Sequence, residues 1–249
     1  MQNTSFTAGY EELTLQDRLM RIFYAPKSSY EAIRENPTTN DWMVPVLLMC
    51  LVGIGANYMT LSVTSDPGLP AMQDELRKLS EENMDRAIEN LENYREHGWI
   101  GQPLVNSFST VVLVGLVLFG LGRWVFRADV SLRQMLLLKA YANVIAVVEI
   151  IVRTPLMLIN QQPMVRLGPG AFVGDEMAKS FFGKLLIGAN IFDIWQAIVI
   201  GIGLGVMVQV PPKRTIATVL VLWGIWIMMG AITPESPPVP NDVGVTTTE

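Results

Sequence analysis

Four polar residues fall within or beside apolar runs, where side chains of their types could do chemistry: Glu149, Arg153, Asn190 and Asp193. Glu149 and Arg153 are four residues apart, which places them on one helix face in the favourable order for an ion pair. A charge held in hydrocarbon costs about 2.5–3.5 kcal/mol on insertion scales, so such groups pair, reach water or become protonated. We therefore expect these four side chains to form one intramembrane polar cluster.

Three interpretations of Asp193 are open. If 185–210 is one continuous helix, Asp193 lies about 12 Å inside it, and a lock with Arg153 or an asparagine would fix how two helices pack. If 185–189 instead lies flat on the membrane surface, Asp193 is close to the lipid headgroups. The third interpretation is a proton or cation site, because intramembrane ionisable groups often mark transport pathways.

The residue inventory argues against an enzyme, a metal site and a cofactor. Cys50 and His97 are the only cysteine and histidine, so the sequence offers no zinc pattern and no nucleophile beside a base. The "GIGLG" stretch at 201–205 lies within an apolar run, which argues against a phosphate-binding loop. A formal net charge of −5 lacks the basic excess of nucleic-acid-binding proteins. We predict no catalytic residue, metal, cofactor or nucleic-acid partner.

The elements that must position the polar cluster are membrane-spanning helices. Only 16% of the residues are charged, against about 25% in an ordinary soluble domain. A hydrocarbon core about 30 Å thick needs roughly 20 apolar residues as a helix. Lys139 lies close enough to the end of one such run to extend its amine toward the headgroups. Runs of this order predict an all-α integral membrane fold with five spans: 42–63, 104–122, 135–152, 185–210 and 215–232.

The distribution of basic residues predicts the orientation of the spans. Arg123, Arg127 and Arg133 occupy the short connection between spans two and three, and Lys213 and Arg214 that between spans four and five. The residues after 232 include no lysine or arginine. This pattern predicts a cytoplasmic N-terminus and a C-terminus outside.

The segment before the first span, 1–41, predicts amphipathic helices in the cytoplasmic interface. Leu19 and Phe23 fall on one helical face, and Arg18 takes the opposite side. Short helices of this kind lie in the plane of the membrane surface rather than crossing it.

The acidic stretch 69–98 predicts a helical loop on the outer face. Pro70 suits a first helical turn and Gly98 a C-terminal cap, so we expect one long helix or two with a break near Ser80. The loop is either a solvated helix packed on its own membrane domain or an arm for docking a partner. The Pro-rich polar tail 234–249 is expected to be disordered.

Residues 42–233 form the predicted membrane domain, in which small residues mark close helix contacts. Ala142 and Ala146 in span three, and Gly201 and Gly205 in span four, are each separated by four residues. Small residues at this spacing allow helix backbones to approach closely.

Five residues before the first span are spaced in a recognisable order: Phe23, Pro26, Tyr30, Ile33 and Pro37. This spacing, with Leu19 one turn earlier, resembles the N-terminal motif of the Yip (Ypt-interacting protein) membrane-domain family. "LLLKAYANVIAVV" is similar to the family's third span, and "IFDIWQAIVIGIGLGVMVQVPPKRTIATVLVLW" to its last two. The chain departs from the family pattern because 143–146 lacks a proline.

The resemblance implies about five spans and a non-enzymatic role. The short N-terminal segment is similar to the bacterial branch of the family, which includes associations with ABC exporters and implies location in the bacterial inner membrane. We therefore predict an accessory or scaffolding subunit of a membrane complex. Its expected partners are the lipid bilayer and a membrane protein such as an ABC exporter, and a homo-oligomer is also compatible with the sequence. The alternative is a small transporter or channel that uses Glu149 and Asp193.

Overall fold

The structure is a computed structural model that describes residues 13–38, 40–77 and 79–232. The N-terminal twelve residues and the predicted disordered tail 234–249 lie outside the described residues. The α-helices of the described part, in chain order, are α1 (Leu15–Tyr24), α2 (Pro26–Glu35), α3 (Asn40–Thr64), α4 (Pro70–Leu76), α5 (Glu81–Asn93), α6 (Trp99–Gly120), α7 (Leu132–Asn160), α8 (Asp175–Ala178), α9 (Phe181–Gly188), α10 (Ile191–Val208) and α11 (Pro212–Ile232).

Five helices of the described residues are long and apolar enough to cross a membrane. This confirms the predicted number of spans, and the chain is an all-helical, multi-pass membrane protein over the described ranges. The five are α3, a continuous helix over Asn83–Val125 that contains α6, and the helices α7, α10 and α11.

Local sequence signals fix where several helices begin. Thr14 and Asp17 form a capping box at the start of α1, and Ser131 and Gln134 form one at the start of α7. The hydrogen bonds from Thr14 hold the pKa of the Asp17 carboxyl below its usual range. These caps satisfy backbone N–H groups that a helix N-terminus otherwise leaves without acceptors.

Helix α7 is the centre of the bundle. It packs against α3, α6 and α10, and α10 packs in turn against α11. From Met135 to Ile145, α7 is almost wholly enclosed: Met135, Leu138, Tyr141 and Ile145 are fully buried. By contrast, α11 exposes most of its apolar surface, as expected of a helix that contacts lipid.

The prediction of one uninterrupted helix over 185–210 is wrong. Helix α9 ends at Gly188, and Asn190 is the N-cap of α10, with its side-chain oxygen accepting from the Phe192 N–H at 3.1 Å. Asparagine is among the best N-caps because it accepts this bond while its backbone stays extended. Asp193 therefore lies in the first turn of α10, not about 12 Å inside a span.

The predicted cap at Gly98 is also wrong. Gly98 has a right-handed helical backbone, and the helix continues through a π-helical turn, Tyr94–Gly98, into α6. The apolar sequence after Gly98 can extend the helix into a span, so nothing requires the left-handed turn in which a capping glycine ends a helix. In the acidic loop, α4 and α5 are separate helices: α4 ends at Leu76 and α5 begins at Glu81.

Candidate functional site

A polar cleft of about 350 Å³ lies between α3, α6, α7 and α10. Most of the residues that line it carry amide, hydroxyl or charged groups, and apolar side chains supply the rest of its wall. The cleft follows α7 from Lys139 to Arg153, about 21 Å at the usual rise per residue. The lining residues are Met49, Gly53, Asn57, Gln102, Pro103, Asn106, Ser107, Thr110, Lys139, Asn143, Ala146, Glu149, Ile150, Arg153 and Gln196.

The deepest charged group of the cleft is Lys139. Its side chain does not extend to the headgroups as predicted, because the residue is only 3% exposed and lies inside the bundle. The Lys139 Nζ donates to the Gln196 Oε1 at 2.8 Å, and the Gln196 Nε2 donates to the Ala142 carbonyl at 3.0 Å. Gln196 thus joins α10 to α7 and is the single hydrogen-bond acceptor that the described residues provide for this ammonium.

Toward the other end of the cleft, Glu149 accepts from two partners. The Arg153 Nη2 donates to the Glu149 Oε1 as an ion pair within α7, and the Asn190 Nδ2 donates to the same oxygen at 2.6 Å. The structure therefore brings Glu149, Arg153 and Asn190 together. The Nε of Arg153 is buried and has no hydrogen-bond partner among the described residues.

Asp193 is beside this cluster but is not locked to Arg153. It interacts electrostatically with Glu149, Arg153 and Lys139, yet no described cation lies within ion-pairing distance of it. Its place in the first turn of α10 sets a carboxylate beside the positive end of the helix dipole, which is itself favourable. Of the three interpretations of Asp193, this geometry agrees with the one that places the residue close to the end of a span.

The cleft is closed beyond Lys139. The preceding turn of α7 holds Met135 and Leu138, both fully buried, and Tyr30 packs against the same core. The Tyr30 hydroxyl donates to the Leu138 carbonyl at 3.1 Å. Burial raises the pKa of the Tyr30 phenol above its usual range, so the group stays neutral and remains a donor.

The predicted interfacial motif packs mainly against protein. Tyr30 and Ile33 are buried in the bundle core, with Leu19 and Phe23 packed on its edge, while Pro37 is exposed. Pro26 is the first residue of α2, where its missing N–H costs nothing.

Arg18 is buried rather than on a solvent-facing side, contrary to the sequence-based expectation. It is 6% exposed, and its Nη1 lies 2.9 Å from the Oδ2 of Asp41, which is fully buried. The Tyr141 hydroxyl donates to the other oxygen of Asp41 at 2.5 Å, and the Thr38 backbone N–H donates to Asp41 at 2.6 Å. This network ties α1 to α3 and α7.

The small-residue faces lie at different kinds of contact. A Cβ added to Gly201 would be 2.5 Å from the Ile216 Cα of α11, and one added to Gly205 would be 2.8 Å from the Thr215 Oγ1. Ala142 is fully buried, whereas Ala146 lines the cleft.

Sequence reasoning missed Lys139, Asn143 and Gln196 as parts of the site. A signal was present: Lys139 and Asn143 are four residues apart on the span of Glu149, and Gln196 follows Asp193 by three. These spacings put polar groups on one face of each helix.

Within the described ranges, no group of three or more His, Cys, Asp or Glu side chains is placed to hold a metal ion.

The amino-acid sequence of this chain matches one known family. The sequence model of the Yip1 domain matches residues 20–233. No curated protein and no solved structure matches the chain. Because the Yip1 domain match covers the second half of α1 and every span, this chain belongs to the Yip1 domain family.

Proposed function

We propose that this chain is a non-enzymatic accessory or scaffolding subunit of a membrane complex. It is a multi-pass protein of the Yip1 domain family, which is a membrane protein family not known for enzymatic activity. In the proposed role, the bundle supplies a rigid surface on which another membrane protein assembles.

The observation that carries the proposal is the packed end of the bundle beyond Lys139. A channel or transporter needs a polar route from one side to the other, whereas a scaffold needs a dry, rigid core. Met135, Leu138 and Tyr30 fill the space in which such a route would continue. Close-packed interiors of this kind resist deformation.

The proposed placement has the N-terminus in the cytoplasm, the α4–α5 loop outside and the C-terminus outside. The basic residues at or beside the two short connections between spans, among them Arg123 and Lys213, support this orientation. We also propose that α1 and α2 lie in the cytoplasmic interface. Met20 and Tyr24 of α1 are largely exposed on the side away from the core, where they can enter the headgroup region.

The proposed partner is a protein in the bacterial inner membrane, and an ABC exporter is the first candidate because the chain resembles the bacterial branch. The candidate docking faces are the exposed apolar sides of α6 and α11, which carry Val117 and Trp226 respectively. A second copy of this chain is the other candidate occupant of these faces.

Site-specific photo-crosslinking in cells tests the accessory role. A photoreactive residue replaces Val117 or Trp226, and Met20 provides a control position on α1. A subunit of a complex gives one discrete adduct from a membrane face, which mass spectrometry identifies as an exporter, another protein or a second copy. A protein surrounded only by lipid gives no discrete adduct from either face, and that result contradicts the proposal.

The alternative function, a small transporter or channel, is favoured by the cleft itself, because Glu149 and Lys139 line it. Flux measurements on liposomes that contain the purified chain separate the two functions. The scaffold predicts no ion or proton flux above that of empty liposomes. Flux that is present in the parent and lost in Glu149→Gln would establish the alternative.

A further inference from the structure

The polar cleft contains one cation, the Lys139 ammonium, that forms no ion pair with a described residue. Glu149 is compensated by the Arg153 guanidinium and by the Asn190 amide. Lys139 has only the neutral Gln196 oxygen as a hydrogen-bond acceptor, and Asp193 attracts it without forming an ion pair. An ammonium has three N–H donors. Burying it with one neutral acceptor is costly unless an anion joins it.

The rest of the wall is suited to an oxyanion. The side chains of Asn106 and Asn143 carry amide N–H donors, Thr110 carries a hydroxyl, and all three residues line the same cleft. The buried Nε of Arg153 is a donor without an acceptor among the described residues, but it lies toward the other end of the cleft and is not part of the wall around Lys139. A volume of about 350 Å³ is at the lower end of the usual range for ligand pockets, roughly 300–1,000 Å³.

We propose that the cleft between α3, α6, α7 and α10 binds an organic molecule through one singly charged oxyanion, a carboxylate or a phosphodiester, which contacts the Lys139 ammonium. One cation without an ion-pair partner matches one negative charge. The apolar wall at Met49, Pro103 and Ile150 receives the uncharged part of the molecule. The source of the anion is either a lipid headgroup or a soluble organic acid. The cleft binds this anion whether or not another protein assembles with the chain.

Binding is measured on the full chain purified in dodecyl maltoside, with one probe for each source. Dioleoyl phosphatidylglycerol is the lipid probe and sodium benzoate is the soluble probe. Dioleoylglycerol and benzamide are their uncharged counterparts. We expect a charged probe to bind and to raise the melting temperature, while its uncharged counterpart has a much smaller effect. Binding of the lipid alone identifies a headgroup site, and binding of benzoate alone identifies a soluble-anion site.

Lys139→Met keeps most of the side-chain length and removes the charge. Because a hydrogen bond to a charged group is lost, we expect binding roughly tenfold to a hundredfold weaker in this variant. Lys27→Met is the matched control, since Lys27 is an exposed residue of α2 outside the cleft. Equal binding by Lys139→Met and the parent, or no binding of either charged probe to the parent, overturns the proposal.

A protection assay decides the matter if Lys139→Met does not fold. Gln102→Cys, in a Cys50→Ala background, places a thiol in the partly exposed part of the cleft wall without removing a proposed donor to the anion. We expect the charged probe to slow maleimide labelling at this position and to leave Asp129→Cys, in an exposed connection, unaffected. Equal labelling rates at Gln102→Cys with and without either charged probe overturn the proposal.

Discussion

Asp41 shows how strongly one residue can determine the structure. Its carboxylate accepts hydrogen bonds from Arg18, Tyr141 and both the backbone and side chain of Thr38. The groups come from three separate parts of the chain and meet where no solvent reaches Asp41. A buried ion pair of this kind adds little stability over an apolar replacement, but removing one partner leaves the other charge buried alone.

Asp41→Ala is therefore expected to destabilise the protein by about 3–5 kcal/mol, because Arg18 loses its counter-charge. Melting curves in detergent measure the effect as a large fall in melting temperature. Asp129→Ala is the control: Asp129 pairs with Arg123 on the surface with a fully exposed side chain, where ion pairs contribute little. Similar melting temperatures for the two variants would show that the Arg18–Asp41 pair is not buried.

The carboxylates of Glu149 in α7 and Asp193 at the start of α10 should respond differently to substitution. Glu149→Leu leaves the Arg153 guanidinium and the Asn190 amide without their acceptor, which we expect to cost about 1–3 kcal/mol. Asp193→Leu breaks no hydrogen bond that the structure shows and should change stability by less than about 1 kcal/mol. Thermal unfolding of both variants checks this order. A greater loss in Asp193→Leu would restore the buried lock as the better interpretation.

At the scale of helices, the contact between α10 and α11 depends on glycine. The backbone of α11 approaches Gly201 so closely that a Cβ would be 2.5 Å from the Ile216 Cα. Gly203 has the same role toward α2, because a Cβ there would be 2.7 Å from the Tyr30 ring. One face of α10 thus accepts a span and another face accepts the N-terminal hairpin of α1 and α2.

Gly201→Ala should push α10 and α11 apart and destabilise the bundle by about 1–3 kcal/mol, as overpacking in a close-packed interior does. Gly224→Ala, in the middle of α11, is the matched control because no atom lies within 4 Å of the added methyl group. We expect the control to melt at or above the parent temperature, since alanine is the better helix former. If Gly201→Ala melts like the control, the two helices are not in backbone contact.

At the scale of the whole molecule, the two ends of the bundle differ. One end is packed by α1, α2 and the first turns of α7, with the Arg18–Asp41 pair enclosed. The other half contains the polar cleft, and the helix over Asn83–Val125 continues well past it. At 1.5 Å per residue that helix is about 64 Å long, roughly twice the hydrocarbon thickness of a bilayer. We infer that its first half stands in water.

Cysteine labelling of intact cells tests this arrangement. Glu89→Cys is on the exposed part of α5, and Lys213→Cys is in the first turn of α11, beside the connection to α10. Three spans separate the two positions, so a membrane-impermeant maleimide should label Glu89→Cys and not Lys213→Cys. Cell lysis should make Lys213→Cys reactive and thereby control for its accessibility. Labelling of both positions in intact cells contradicts the five-span arrangement.

The sequence by itself determined the features that depend on neighbouring residues. Five apolar runs were sufficient to predict five spans, because the length of a run and the thickness of a bilayer decide that question. The Glu149–Arg153 pair was predictable from a spacing of four within one helix. The order of aromatic, proline and aliphatic residues before the first span was sufficient to indicate the Yip family.

Only the tertiary structure decided the features that depend on distant parts of the chain. Arg18 has a polar side chain that pattern reasoning places in solvent, yet its partner Asp41 is 23 residues away and buries it. Lys139 meets Gln196 across 57 residues, and the cleft around them requires four helices to pack. The periodicity of one helix shows which residues share a face. It does not show what that face meets, because long-range packing determines whether a polar group finds water, a partner or a cleft.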